Sequence, residues 1–143
     1  MQHLQIKFKR LTPNAVIPSK AHPTDAGFDL TATSHEKDAY GNIVYGTGIA
    51  LEIPENHVGL LFPRSSNAKK DILLTNSVGV IDSGYRGEIM FKFKSIGFVG
   101  NCYDIGDRIG QIIIIPYPEV TFVETDELSE TQRGNGGYGS TGK

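Results

Sequence analysis

The stretch Glu88-Ile89-Met90-Phe91-Lys92-Phe93-Lys94 sets Ile89, Phe91 and Phe93 on one side of an extended chain and its charged residues on the other. Successive side chains of an extended backbone point to opposite sides, so this period of two marks a strand with one face in a core and one in water. Leu4-Gln5-Ile6-Lys7-Phe8-Lys9 repeats the pattern. Between the two, Ile49 to Ile53, Val58 to Phe62 and Ile72 to Thr75 are short β-prone runs, broken by Pro54-Glu55-Asn56-His57 and by the polar residues 65–71. Strands of this length and spacing predict an all-β sandwich or barrel. The 17 glycines and 7 prolines among 143 residues suit many short strands joined by turns, and a chain of this size predicts one domain around one core.

Towards the C-terminus, Ile112-Ile113-Ile114-Ile115, closed by Pro116, is a continuous β-branched run. It predicts a strand buried on both faces, followed by another over Val120 to Val123. Helix signals are poor, the best being one or two turns after Pro63 over Asn67, Ala68, Lys69 and Lys70. Residues 33–48 form a polar, glycine-containing excursion with the character of a recognition loop. From Glu124 the chain turns polar, and Arg133-Gly134-Asn135-Gly136-Gly137-Tyr138-Gly139-Ser140-Thr141-Gly142-Lys143 predicts a mobile tail.

Fourteen Lys and Arg against sixteen Asp and Glu give a net charge of −2. That balance argues against a broad footprint for nucleic acid or an anionic membrane, so any anion must be held by a local site. A single cysteine, Cys102, allows no internal disulfide and no zinc pattern that needs two thiols, which fits a reducing, cytoplasmic setting and a small structural role. No apolar block of the size needed to span a bilayer is present, and the first ten residues alternate, so neither insertion nor export is expected. His3, His22, His35 and His57 are scattered in polar surroundings and are assigned to the surface.

Five segments hold residue types that suit phosphate chemistry, each with an ordinary structural alternative. In the tail, glycines let backbone N–H groups converge on a phosphate, while Arg133, Ser140, Thr141 and Lys143 supply donors and charge; a flexible terminus is the other reading, although Tyr138 offers a flat ring that a linker does not need. Pro63-Arg64-Ser65-Ser66-Asn67-Ala68 follows a strand and offers two hydroxyls and a guanidinium for an anion, or simply a capped turn. Thr75 to Glu88 predicts a β-hairpin with Ser83-Gly84 at its turn, its arms presenting main-chain groups to a planar ligand. Asp82 at its end is either a base for water or a common turn residue. Asp29, in Ala26-Gly27-Phe28-Asp29-Leu30, is a candidate to help hold a hydrated Mg²⁺ with substrate phosphate oxygens. Gly106-Asp107-Arg108-Ile109-Gly110-Gln111 reads as a turn into the isoleucine strand, with Gln111 a candidate contact to water or phosphate.

In their order and spacing these five segments resemble the trimeric dUTP pyrophosphatase (dUTPase) family. The resemblance covers nearly the whole chain, from Ala26-Gly27-Phe28-Asp29-Leu30 through Pro63-Arg64-Ser65-Ser66, Gly79-Val80-Ile81-Asp82 with Tyr85-Arg86-Gly87-Glu88, and Gly106 to Gln111, to Arg133 to Gly142. It implies a distorted β-barrel or jelly-roll over residues 1–124, a homotrimer with three sites at subunit interfaces, and a tail over residues 125–143 that closes a neighbour's site. The implied activity is Mg²⁺-dependent hydrolysis of dUTP to dUMP and pyrophosphate, which limits uracil in DNA and supplies dUMP for thymidylate.

Carried over position by position, the resemblance makes Asp82 the holder of the attacking water and gives Gln111 a part in ordering water and phosphate. Arg64, Ser65 and Ser66 would hold phosphates, and Asp29 would belong to the Mg²⁺–triphosphate environment, through water. Asn76 and the main chain around Gly79 would read uracil, and Tyr85 would stack on the deoxyribose and exclude a 2′-hydroxyl. Arg133, Tyr138, Gly139 and Ser140 would act from the tail, Arg133 on the terminal phosphate and Tyr138 over the base. Two positions depart from the family pattern: Ser66 stands where Gly is usual, and Tyr138 where Phe is usual. Arg64-Ser65-Ser66 also resembles the homologous dCTP deaminases, whose glutamate on the following strand is replaced here by Lys92 and which lack the glycine-rich tail. A regulatory binding protein on the same scaffold is the rival without catalysis.

Overall fold

A computed structural model describes residues 3–97 and 101–142, and in it the alternating segments pair as two antiparallel sheets. The first contains β1 (Lys7–Arg10), β3 (Ser34–Lys37), β4 (Ile43–Glu52), β6 (Ile72–Leu74) and β8 (Glu88–Ser95). The second contains β2 (Phe28–Thr31), β5 (His57–Phe62), β7 (Gly79–Ile81) and β9 (Arg108–Pro116). Across the first sheet the order is β1-β4-β8-β6, with β3 paired to the front half of β4; across the second it is β2-β9-β5-β7. This is the predicted all-β architecture, a jelly-roll of two facing sheets.

The stretch that predicted the fold also centres the core. Ile89, Phe91 and Phe93 are fully buried, and they meet Tyr45 and Ile49 of their own sheet and Leu30, Leu61, Ile109 and Ile112 of the other. Burying each such side chain stabilises the fold by about 1.5–3 kcal/mol. At Gly110 the two sheets approach closely, since a Cβ there would run into the Phe91 ring. The buried Tyr45 hydroxyl donates to the Tyr103 carbonyl at 2.8 Å and accepts the Tyr103 N–H at 3.0 Å, which ties the loop before β9 to the core.

Several local expectations need correction. β7 and β8 do not form a hairpin: β7 pairs with β5, whereas β8 pairs with β4 and β6 in the opposite sheet. The turn at Ser83-Gly84 is present, with the Tyr85 N–H donating to the Asp82 carbonyl at 3.1 Å, but it carries the chain from one sheet to the other. Residues 33–48 are no free loop, because β3 and β4 pair there around a tight turn at Asp38–Asn42 and Tyr45 lies in the core. The isoleucine run is buried on one side only: Ile112 lies in the core with Ile114 packed against it, while Ile115 is 38% exposed. An antiparallel sheet with a single facing layer covers alternate residues, whatever their composition. Val120 to Val123 forms no strand, and Phe122 is 96% exposed, since among the described residues no strand pairs with the segment. The turn after Pro63 is a short 3₁₀ helix, Ser65–Lys69.

Candidate active site

Two clefts collect most of the residues singled out by sequence. The first forms where the chain crosses between sheets. β6 ends at Leu74 and a tight turn follows, in which the Ser77 N–H donates to the Leu74 carbonyl at 3.0 Å and the Val78 N–H to the Asn76 carbonyl at 2.6 Å. Ser77 takes a positive φ of 63° there, which holds Asn76 outward at the turn. Gly79 then lies against Leu61, with room for no side chain, so the backbone itself forms the cavity wall. Tyr85 is fixed at both ends: its hydroxyl donates to the Glu88 carbonyl at 2.8 Å and its ring covers Gly87, where a Cβ would fall 2.5 Å from that oxygen. Together Asn76, Gly79, Asp82 and Tyr85 line a cavity of about 310 Å³ with Met90 and Lys92.

A polar chain starts from Thr75 and Lys92 on the lining of the cavity. The Thr75 hydroxyl donates to the Asn42 side-chain carbonyl at 2.7 Å, the Asn42 amide donates to Asp38 at 2.9 Å, and the Lys92 ammonium stands 3.5 Å from the same Asp38 oxygen. The Asn42 amide above all, helped by the Asn42 and Tyr40 N–H groups and the Lys92 charge, holds the Asp38 carboxyl down to about 2.

The second cleft gathers Asp29, Arg64, Ser65 and Gln111 beside Gly27. Register places Asp29 opposite Gln111 on the β2–β9 pair, and Gly27 leaves the space that the Gln111 side chain occupies. Gln111 donates to the Pro63 carbonyl at 3.0 Å, so strand β9 orients the start of the arginine segment. Arg64 is held by its Nε, which donates to Asp29 at 3.1 Å, and by Nη1, which donates to Ser66 Oγ at 3.3 Å. Arg108 reaches the other Asp29 oxygen at 3.7 Å. A single half-buried carboxylate therefore holds two guanidiniums, an arrangement whose remaining N–H donors suit a polyphosphate. Ser66 bears on the guanidinium itself, so the departure from Gly adds an anchor for Arg64 and leaves a hydroxyl proton to donate.

Among the described residues no cluster of three or more His, Cys, Asp or Glu side chains could hold a metal ion, and both Asp29 oxygens face guanidiniums. This donor set fits a cation that arrives hydrated on a polyphosphate rather than one caged by protein ligands, as suits Mg²⁺, which dehydrates reluctantly.

The tail residues join neither cleft within the chain. Arg133 donates to the Gly136 carbonyl at 2.9 Å, Gly139 has a φ of 86°, the Ser140 N–H donates to the Gly137 carbonyl at 3.1 Å, and Tyr138 is fully exposed. Lys143 lies outside the described residues. Sequence reasoning missed Arg108, whose signal was its place two residues after the Gly106 turn, with Gln111 already chosen three residues on. It also missed the Asp38–Asn42 turn, whose signal was Asp38 followed by Gly41-Asn42, residue types that favour tight turns.

A profile described as dUTPase matches residues 13–142. The deoxyuridine 5′-triphosphate nucleotidohydrolase of Rhodococcus erythropolis is 42% identical over 98% of this chain and 87% of its own length. That of Clostridium tetani is 40% identical with both chains covered in full. Among solved structures, the dUTPase of Staphylococcus bacteriophage 80alpha with dUpNHpp superposes with a TM-score of 0.84 at 27% identity, covering 97% of this chain and 99% of the other. A mutant dUTPase from phage phi11 of S. aureus, in a structure that concerns a structural Mg(II) ion, gives 0.74 at 25% identity, covering 89% and 100%. With a matching profile that spans almost its whole length and relatives at 40% and 42% identity, the chain belongs to the dUTPase family.

Proposed function

We propose that the protein hydrolyses dUTP to dUMP and pyrophosphate. The observation that carries this is the placing of Asp82 in one cavity with Asn76, Gly79 and Tyr85: a carboxylate beside a slot with a backbone wall, an amide and a fixed aromatic ring. The base enters that slot and is read by the Asn76 amide and the main chain about Gly79. Tyr85, pinned on Gly87, lies along the deoxyribose and leaves no space for a 2′-hydroxyl. Arg64, Ser65, Ser66 and Gln111 hold the phosphates. Asp82 takes a proton from water as its oxygen attacks the α-phosphorus; the new P–O bond forms while the bond to the α,β-bridging oxygen breaks, and pyrophosphate leaves. Mg²⁺ carried in on the triphosphate would be held through water by Asp29 and would supply charge neutralisation on the phosphate oxygens.

The two clefts are separate within one chain, and apolar Val120, Phe122, Val123 and Leu128 stand exposed beyond β9. Both features support a homotrimer whose sites form at subunit interfaces. In this reading residues 1–124 are the body. Residues 125–143 are the tail, which brings Arg133 to the terminal phosphate and Tyr138 over the base, with Gly139 and Ser140 adding donors. A cytoplasmic location suits the lone, half-buried Cys102, and no helix among the described residues is long and apolar enough to cross a membrane.

Asp82→Asn tests the assignment. The amide keeps size and hydrogen bonding but loses basicity, so binding of dUpNHpp is retained while turnover falls by about 10²–10⁴-fold. Turnover near that of the unaltered protein removes Asp82 from the role.

A further inference from the structure

We propose that Lys92 is a specificity-determining residue of the base cavity, one that favours a pyrimidine with a carbonyl at position 4 and rejects one with an amine there. This selectivity rests on the dUTP reading of the same cavity.

Lys92 is the one cation among the residues that line the cavity, and it sits beside the base-reading turn: the Thr75 N–H donates to its carbonyl at 2.8 Å, immediately before Asn76. Its ammonium is not left to wander. Asp38 stands 3.5 Å away, and that carboxylate is itself fixed by the Asn42 amide and by the N–H groups of Tyr40 and Asn42, each at 2.9 Å. Asn42 is 6% exposed and also accepts from Thr75, so the same scaffold positions Lys92 and the turn that carries Asn76. The other charged groups on the cavity wall are Asp82 and Glu88. Glu88 is turned away, accepting from the Gly48 N–H at 2.9 Å.

An ammonium has three donors and no acceptor. With one directed at Asp38, two remain for the base. Uracil presents an acceptor at its 4-position and cytosine presents an N–H donor, so the same ammonium bonds the first and opposes the second. The amine also forfeits the hydrogen bond while desolvating the cation, and a mismatch of this kind discriminates more strongly than shape.

The test is the ratio of kcat/KM for dUTP to that for dCTP, followed as pyrophosphate release. Lys92→Met is expected to lower this ratio about 10- to 100-fold, the worth of a hydrogen bond to a charged group, whereas Lys92→Arg retains it. A second probe keeps the N3–H and changes only position 4: the deoxynucleoside triphosphate of 4-thiouracil, whose sulfur is a weak acceptor, falls below dUTP in kcat/KM with the unaltered protein, and Lys92→Met narrows that difference. A ratio unchanged by Lys92→Met, or a dUTP to 4-thio-dUTP ratio that the variant leaves as it was, overturns the role of Lys92. Failure of the unaltered protein to release pyrophosphate from dUTP overturns instead the reading on which it rests.

Discussion

The base cavity and the phosphate cleft are built on opposite principles. The cavity is walled by backbone and by side chains pinned to backbone: Gly79 against Leu61, Tyr85 on Gly87, and a turn fixed by its own hydrogen bonds. The cleft is held by charge, with Asp29 facing Arg64 and Arg108 at 3.1 and 3.7 Å. Shape of the first kind is insensitive to salt, whereas partly exposed charges of the second kind are screened by it. The contrast assigns the shape of the base slot to the framework, with Lys92 the one cation on its wall, and triphosphate affinity to pre-aligned cations.

The largest break in that division comes from the tail, which belongs to neither cleft within the chain. Ordering a glycine-rich backbone costs about 1–2 kcal/mol per residue, so closure has to be driven by contacts to triphosphate and base. Truncation after Gln132 leaves the assembly folded and dUMP binding nearly unchanged but lowers dUTP turnover by about 10²-fold or more, as loss of a transition-state donor does. Full turnover by the truncated protein would make the tail a linker.

Asp29→Ala tests the cleft next. It frees both guanidiniums, and misplacing a positioning group costs on the order of 10²-fold in kcat/KM for dUTP. The affinity for dUMP, which relies on the cavity, changes little. Raising the ionic strength weakens dUTP binding more than dUMP binding in the unaltered protein, and an equal response of the two would erase the distinction drawn between the clefts.

The smallest effect is at the turn behind the cavity. The Asp38 carboxyl is held at about 2, below its ordinary 3.8, first by the Asn42 amide. A carboxyl depressed on folding stabilises the fold above its unfolded pKa and loses that contribution as pH falls through the folded value. Asp38→Asn therefore lowers Tm at neutral pH, and the gap to the unaltered protein closes as pH falls from about 4 towards 2. A gap independent of pH would assign Asp38 a purely steric part.

Much of this was legible in the sequence where one local rule decides the outcome. Ile89, Phe91 and Phe93 reached the core because period-2 alternation fixes which face is buried, and Asp29 with Gln111, and Asn76 with Asp82 and Tyr85, came together as their segments implied. What was not legible depends on partners distant in the chain. A turn at Ser83-Gly84 has the same local chemistry whether its arms pair together or with other strands, so the crossing between sheets was hidden. The isoleucine run and Val120 to Val123 misled for a related reason: β-branched composition reports strand propensity, and not which faces a neighbour covers. Arg108 was overlooked because its meaning lies in Asp29, across the sheet.

The most direct test of the central claim is pyrophosphate release by the unaltered, full-length protein from dUTP, dCTP, dTTP and UTP, measured side by side with Mg²⁺ present. The geometry of the cavity predicts turnover of dUTP far above the other three, with dCTP turned away by Lys92, UTP by Tyr85, and dTTP by the closeness of the walls to the base. Comparable release from all four, or none from dUTP, would contradict it.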